Sequence, residues 1–163
     1  MSRLDRFRTA QDSPDAGFND ALEEIRSGGK RGHWIWYVFP QLSGLGLSEI
    51  SHAFAIEGEE EAAEFLRDDK LGPRLLAITK AVAEQLGSQT PPSLRALMGS
   101  DTDARKIVSS LTLFGSVARK LHAAEGLAVG RKVADAADDV LAAAAAQGYP
   151  PCAYTRARLQ STG

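Results

Sequence analysis

Residues 33–39, His-Trp-Ile-Trp-Tyr-Val-Phe, form the one run in this chain whose composition is typical of a β-strand. Apolar side chains occupy both alternating faces of the run, and no second stretch of comparable strand character exists for it to pair with. Because an isolated strand is not stable, the run is predicted to be a buried helical turn or extended segment enclosed by helices. This feature points to an all-α fold.

Helical periodicity in the rest of the chain leads to the same class. Leu75, Ile78, Val82 and Leu86 form a clear helical stripe that ends at Gly87. Capping residues, glycines and prolines delimit the other helices. The predicted helices cover residues 2–12, 15–27, 48–55, 59–67, 73–87, 93–98, 101 to beyond 121, and 127–146. We expect a compact bundle of about six to eight helices in one domain, 1–163, with an extended C-terminal tail at 149–163.

Composition limits the classes of function. The 163 residues carry a net charge of −2, which disfavours a nucleic-acid partner. No apolar run approaches the roughly 18 residues that span a membrane, and the N-terminus lacks the apolar core of a signal peptide. A single cysteine, Cys152, cannot form an intramolecular disulfide, which fits a reducing compartment. We expect a cytoplasmic protein with no membrane association and no cofactor.

The stretch 28–48 concentrates residues that can carry chemistry. Four of the eleven aromatic residues fall between positions 34 and 39. Backbone N–H groups of Gly28-Gly29 can form an anion-binding concavity, and Lys30 and Arg31 beside them would add affinity for phosphate or carboxylate. The alternative is a solvated basic turn that complements the dipole of the preceding helix.

Each polar or aromatic side chain of this stretch has two interpretations. A neutral His33 can act as a base or hydrogen-bond a ligand, or it can be a core histidine bonded to a carbonyl. Trp34 and Trp36 can stack on a planar ligand or pack in the core. Gln41 is a nearby partner for an indole N–H. No pair among the three histidines has metal-ligand spacing, so no metal site is predicted.

The predicted helix around residues 103–114 is the second unusual segment. Lys106 and Ser110 lie one turn apart on it, which places a cation beside a hydroxyl. Ser109, Ser110 and Thr112 stand in otherwise apolar surroundings. They either line a pocket that faces the aromatic stretch or bond back to the carbonyl four residues earlier. No Gly-x-Ser-x-Gly element surrounds the serines, so a serine hydrolase is not supported.

Five motifs stand out between residues 4 and 114: Leu4-x-Arg6-Phe7-x-x-Ala10-Gln11, Lys30-x-x-His33-Trp34-x-Trp36, Phe39-Pro40-Gln41-Leu42-x-Gly44-Leu45-Gly46-x-Ser48, Leu71-Gly72-x-Arg74-Leu75 and Asp103-x-x-Lys106-x-x-Ser109-Ser110-x-Thr112-Leu113-Phe114. Together they resemble domain-of-unknown-function family 1810, some of whose members carry the label "calpastatin". Nothing here looks like a disordered inhibitor, so that label is not adopted. The resemblance implies a compact, mainly helical bacterial domain and supplies no reaction. The segment 153–159 departs from the family pattern.

The leading hypothesis is a small-ligand site between the stretch 28–48 and the helix 103–114. Aromatic side chains would stack a ring and a lysine or arginine would hold an anionic group, which suits a nucleotide or ADP-ribose-like ligand. Catalysis is left open, with no acid or base assigned. The alternative is a non-enzymatic helical module whose aromatic patch docks a protein partner. The candidate ligand-binding residues are Gln11, Lys30, Arg31, His33, Trp34, Trp36, Gln41, Lys106, Ser109, Ser110 and Thr112.

Overall fold

The computed structural model describes residues 2–162, and the side chains of residues 2–161. These residues contain ten α-helices and no strand, which confirms the all-α class. The helices are α1 Asp5–Gln11, α2 Phe18–Arg26, α3 Ile35–Val38, α4 Glu49–Ala53, α5 Glu59–Arg67, α6 Leu71–Leu86, α7 Leu94–Met98, α8 Asp101–Glu125, α9 Ala128–Ala146 and α10 Ala153–Thr162. Within residues 2–162, none of them combines the length and the apolar character needed to cross a membrane.

The number of helices exceeds the six to eight expected for two reasons. The aromatic run is a helix of its own, α3, only 4 residues long. The C-terminal residues form a further helix, α10. Short helices of this kind carry almost no periodicity, so a sequence pattern cannot separate them from turns.

Helix α8 lies at the centre of the bundle. It packs against α3, α5, α7, α9 and α10, and its buried residues extend from Ala104 to Leu121. Glycines allow α9 to approach it closely. A Cβ atom at Gly130 would lie 2.7 Å from the carbonyl oxygen of Ala118, so only glycine fits there. The long central helix thereby holds the other elements around it.

Aromatic side chains join α1, α5 and α8 in the core. The rings of Phe7 and Phe65 meet edge to face with centroids 5.3 Å apart, and those of Phe65 and Phe114 lie 4.9 Å apart. All three side chains are fully buried. Ring pairs in this range of distances stabilise a core beyond the area that they bury.

The aromatic run 33–39 is a buried helical turn followed by an extended segment. Backbone hydrogen bonds fix the extended segment against the chain before α5: Ser43 N–H donates to the Ile56 carbonyl and Ile56 N–H to the Gln41 carbonyl, both at 2.8 Å. Between these two hydrogen-bonded segments, Ser48 caps α4, because its hydroxyl oxygen accepts from Ser51 N–H at 3.2 Å. Residues 41–56 therefore form a loop on one side of α3, and these hydrogen bonds join its two ends.

The prediction of an extended tail at 149–163 is wrong for residues 153–162, which form α10. Pro150 and Pro151 suggested an extended chain, but they precede the helix and do not interrupt it. Thr155 and Leu159, one turn apart, are 0% and 8% exposed and anchor the helix to the body. Residue 163, the last of the predicted tail, lies outside the described residues.

Candidate functional site

The predicted anion-binding concavity does not form at Gly28-Gly29, because their backbone N–H groups donate to the carbonyls of Ile25 at 3.1 Å and Glu24 at 3.0 Å. The residues that follow do bind an anion, but it belongs to the protein itself. We define the glycine turn as residues 28–34. Glu24 Oε1 accepts hydrogen bonds from the backbone N–H groups of Arg31 at 2.7 Å and Gly32 at 2.8 Å, and from Trp34 Nε1 at 3.0 Å. Burial alone would raise the pKa of Glu24, but these hydrogen bonds outweigh it and lower the pKa. The turn is therefore a closed, internally satisfied site.

Lys30 is likewise committed within the protein. Its Nζ atom lies 2.7 Å from an Asp103 carboxylate oxygen, and the lysine side chain is 6% exposed. The same ammonium donates to the Gly32 carbonyl at 2.6 Å and stands 5.0 Å from the Trp34 ring centroid. Lys30 thus ties the glycine turn to the start of α8. The side chains of Arg31 and His33 are exposed to solvent.

Trp34 and Gln11 also have structural roles. Trp34 is 0% exposed, so it packs in the core and stacks on nothing outside it. Gln11 is buried and donates from Nε2 to the Tyr37 carbonyl at 2.8 Å, which attaches α1 to α3. The prediction that Gln11, Lys30 and Trp34 contact a ligand is therefore corrected, because each is buried and bonded to the protein.

A cleft of about 390 Å³ opens on the other side of the aromatic run, and we call it the aromatic cleft. It lies between α3, α4, the segment 41–47 and the side chain of Lys106. Its large apolar lining residues are Ile35, Trp36, Phe39, Leu42, Leu47 and Phe54. Its polar side chains come from Gln41, Ser43, Ser51, His52, Glu57 and Lys106. An apolar lining with a few polar groups is typical of small-molecule sites.

Lys106 and Trp36 form the polar centre of this cleft. Lys106 Nζ lies 4.9 Å from the Trp36 ring centroid, a cation–π distance. Among residues 2–161, no carboxylate forms a salt bridge with Lys106. The buried indole Nε1 of Trp36 also has no hydrogen-bond acceptor within this part of the chain. The Trp36 indole is therefore a buried donor without the acceptor that buried polar groups usually have, and Lys106 beside it is a half-buried cation without an ion pair.

A second cleft of about 470 Å³ adjoins the first, and we call it the cysteine cleft. Gln41, Gly46 and Lys106 line both clefts, so these three residues form the boundary between them. Its further polar lining residues are Thr102, Arg105, Ser109, Tyr149 and Cys152. The guanidinium of Arg105 and the hydroxyl of Tyr149 both bond Asp101, at 2.9 and 2.7 Å, and this network fixes one wall.

Cys152 occupies the position that caps α10. Its Sγ atom accepts from the Thr155 hydroxyl at 3.2 Å. Burial alone would raise the pKa of the thiol, but hydrogen bonds from the Ser109 and Thr155 hydroxyls, and from the backbone N–H groups of Thr155 and Tyr154, outweigh it and lower the pKa. The thiol at this end of the helix is therefore easier to ionise than an ordinary cysteine.

Helix α10 also holds the loop that forms the rim of both clefts. We call residues 43–47 the glycine loop. The Ser43 carbonyl accepts from the Tyr154 hydroxyl and from Arg158 Nη1, both at 2.8 Å. Gly44 has φ +97°, and a Cβ there would lie 2.2 Å from the Tyr154 oxygen, so no other residue fits without a shift. The loop is thus fixed from outside by a helix that the sequence did not predict.

Of the three candidate hydroxyl residues of α8, one agrees with each interpretation and Ser110 agrees with neither, because its buried hydroxyl has no hydrogen-bond partner within the described residues. Ser109 lines the cysteine cleft, as the pocket hypothesis expected. Thr112 bonds back to the Val108 carbonyl at 2.7 Å and accepts from Cys152 N–H at 3.1 Å, which is the alternative. Ser110 is fully buried and lines neither cleft. No group of three or more His, Cys, Asp or Glu side chains within the described residues is placed to hold a metal ion.

Of the eleven candidate residues, four line the clefts: Trp36, Gln41, Lys106 and Ser109. The other seven lie outside both: Gln11, Lys30, Arg31, His33, Trp34, Ser110 and Thr112. Sequence reasoning missed His52, Tyr149 and Cys152. The signal for Cys152 was weak: two prolines precede it, and proline is common just before or at the start of a helix, but cysteine is not a preferred capping residue.

Comparison with known proteins gives a family and a fold but no activity. The crystal structure of the conserved hypothetical protein Rv1873 from Mycobacterium tuberculosis is similar to this chain, with 34% sequence identity, a TM-score of 0.69 and coverage of 94% of each chain. No curated protein matches the sequence. The family described as "Protein of unknown function (DUF1810)" matches residues 1–132, which end before α10. With most of its length matched in this way, the chain belongs to the DUF1810 family.

Proposed function

We propose that the aromatic cleft binds a small anionic molecule that carries a ring. The observation that supports this most directly is Lys106, a half-buried ammonium over Trp36 that forms no salt bridge with any described carboxylate. An anionic ligand at Nζ would supply the counter-charge that this ammonium lacks and would form charge-assisted hydrogen bonds with it. Lys30, a candidate cation of the aromatic stretch, has its counter-charge in Asp103.

The lining of the cleft suits the rest of such a ligand. Phe39, Phe54 and Leu42 provide an apolar surface for a ring, and the Trp36 Nε1 donor has no acceptor among residues 2–161. The volume of about 390 Å³ falls within the range of about 300–1,000 Å³ found for small-molecule sites. A nucleotide or ADP-ribose-like molecule combines a ring, hydrogen-bond acceptors and an anionic group.

The alternative, a module that docks a protein partner on its aromatic patch, has less support. It requires an exposed Trp34 or Trp36 as an anchor. Trp34 is fully buried, and Lys106 stands over one face of Trp36. Around the cleft, Leu47 is 92% exposed, and Ile50 on α4 and Tyr154 on α10 are 38% and 39% exposed. Only Leu47 of the three is more than half exposed, and scattered exposed apolar residues are common on protein surfaces.

A binding screen tests the proposal. AMP, ADP-ribose, NAD and small anions are titrated into the protein while melting temperature and tryptophan fluorescence are recorded. A true ligand at about 100 times its Kd adds about 2.7 kcal/mol of stability, and it also changes the emission of Trp36. Lys106→Met is expected to weaken that binding by about tenfold or more, because the counter-charge of the anion is lost.

Arg31→Ala is the matched control, since Arg31 is a cation of the same aromatic stretch whose side chain is exposed outside both clefts. Its affinity for the same ligand should equal that of the wild type. Unchanged binding in Lys106→Met, or equal loss in both variants, would overturn the proposed site. The absence of any ligand across the panel would count against the proposed function itself.

A further inference from the structure

The aromatic cleft and the cysteine cleft are separated by very little protein. Three residues, Gln41, Gly46 and Lys106, line both. Gly46 has no side chain to divide them, and its backbone packs so tightly on α4 that an added Cβ would lie 2.4 Å from the Ser51 Cβ. The boundary therefore consists of a bare glycine backbone, one amide side chain and one ammonium group. A molecule in one cleft lies next to a molecule in the other.

The two clefts differ in chemistry. Six large apolar side chains line the aromatic cleft, as described above. The cysteine cleft is also lined by apolar groups, from Leu45, Val108, Pro150, Pro151 and Ala153, but its side chains are smaller and none of its apolar residues is aromatic. It adds hydroxyls from Thr102, Ser109 and Tyr149 and the Arg105 guanidinium, of which Tyr149 and Arg105 also bond Asp101. Hydroxyl and guanidinium groups recognise ligands that carry many hydrogen-bonding oxygens. Lys106, at the boundary, offers a positive charge to an anionic group placed between the two.

We propose that the two clefts form one site for an elongated ligand, in which a phosphate or diphosphate at Lys106 joins a ring in the aromatic cleft to a sugar in the cysteine cleft. The chemical class is a nucleoside diphosphate that bears a second sugar. This inference rests on the proposed function, because it adds a second half to the same site. A nucleoside monophosphate would fill only the aromatic cleft.

The protein carries a native reporter in each cleft. Trp36 lines the aromatic cleft, and Cys152, the single cysteine of the chain, lines the cysteine cleft. The thiol is partly accessible, so its alkylation by iodoacetamide measures whether the cysteine cleft is open. Trp34 stays buried in the core and provides constant background emission.

The experiment compares ADP-ribose with AMP on the full-length protein. ADP-ribose at about ten times its Kd is expected to change tryptophan emission and to slow alkylation of Cys152 about tenfold, in proportion to the free fraction. AMP at the same saturation should change the emission but leave the alkylation rate within about twofold of the free protein. The alkylation rates are read by mass spectrometry of the intact chain.

The outcomes separate the two proposals. If ADP-ribose binds in a Lys106-dependent manner but leaves alkylation unchanged, the two-cleft site is overturned and the proposed function stands. If AMP protects Cys152 as strongly as ADP-ribose does, the clefts do not divide the ligand as proposed, and the inference fails. If neither nucleotide binds, the proposed function fails together with this inference.

A variant that blocks one cleft provides an independent test. Thr102 is exposed and lines the cysteine cleft but not the aromatic cleft, so Thr102→Trp should fill it without disturbing the core. Calorimetry should then show about a tenfold loss of affinity for ADP-ribose and none for AMP. Thr90→Trp, at an exposed position outside both clefts, is the matched control. Equal affinities for ADP-ribose in Thr102→Trp and Thr90→Trp would contradict the inference.

Discussion

The glycine turn, 28–34, and the glycine loop, 43–47, have similar residues around them but differ in whether those residues find hydrogen-bond and charge partners within the protein. Each places glycine backbone next to a lysine and a tryptophan of the aromatic run. In the turn, Glu24 accepts from the backbone and from the Trp34 indole, and Asp103 neutralises Lys30. Beside the loop, Lys106 has no carboxylate partner and the Trp36 indole has no acceptor among the described residues.

The difference comes from residues that lie far away in the sequence. Glu24 lies on α2 and Asp103 in the first turn of α8, and the packing of these helices brings both carboxylates to the turn. Among the described residues, Lys106 forms no such ion pair, although Glu57 lines the same cleft. Under the proposed function, glycine next to a cation binds an anion in both places, and the ligand takes the place that has no internal anion.

The largest expected effect comes from opening the closed turn. In Glu24→Ala, the N–H groups of Arg31 and Gly32 and the Trp34 indole lose their shared acceptor. Hydrogen bonds to charged groups are among the stronger ones, so we expect the free energy of unfolding to fall by about 3 kcal/mol. Urea unfolding at neutral pH measures the change.

The matched control is Glu23→Ala, since Glu23 is the exposed neighbour on the same helix. It should alter stability by less than about 0.5 kcal/mol. If the turn is an anion site, added formate should restore part of the stability of Glu24→Ala and leave the wild type unchanged at equal ionic strength. Equal stabilities of the two alanine variants would show that the turn does not depend on its internal anion.

The second prediction compares the two lysines. Lys30→Met leaves the Asp103 carboxylate, 17% exposed, without its ion pair. Because breaking a partly buried pair strands a charge, we expect a loss of about 2 kcal/mol in the free energy of unfolding. Lys106→Met removes a cation that has no carboxylate partner in the described chain, so the loss should be below about 0.5 kcal/mol.

Ligand binding should show the reverse order. Lys30→Met should keep the affinity of the wild type for a nucleotide, whereas Lys106→Met should lose it. Urea unfolding and calorimetry on the same two variants supply both quantities. A Lys106→Met protein as destabilised as Lys30→Met would mean that Lys106 has a structural role, and the contrast between the regions would disappear.

Local patterns were sufficient to predict most of the fold. The apolar stripe of α6 and the Ser48 cap of α4 each depend on neighbouring residues, and the structure contains both. The aromatic run has no partner strand within the described residues and forms the short helix α3. The tail could not be predicted in the same way. The burial of Thr155 and Leu159 that stabilises α10 depends on the surface that α8 presents, which is tertiary information.

The site was predictable only in part, for a related reason. Residue types identified the region of the two clefts, since Trp36, Gln41, Lys106 and Ser109 line them. Whether Trp34 or Trp36 faces the core, however, depends on how the short helix α3 is rotated in the bundle. Whether Lys30 or Lys106 is neutralised depends on where α8 places its carboxylates. Neither rotation nor placement has a local signature in the sequence.

The smallest expected effect is the pH dependence of the closed turn. The pKa of Glu24 in the folded protein lies below its ordinary value of 4.5, because hydrogen bonds to the carboxylate outweigh burial. A lowered pKa means that the carboxylate contributes its stability in full above the ordinary value, and that this contribution is lost as pH falls through the folded-state value.

The stability difference between wild type and Glu24→Gln should therefore be constant above about pH 5 and shrink below it. Urea unfolding of both proteins between neutral and acidic pH measures the difference, and Asp12 and Asp68, whose pKa values are also lowered, cancel because both proteins contain them. A difference that stays constant down to the acid limit would mean that the charge on Glu24 is unimportant and that the turn requires only an oxygen acceptor.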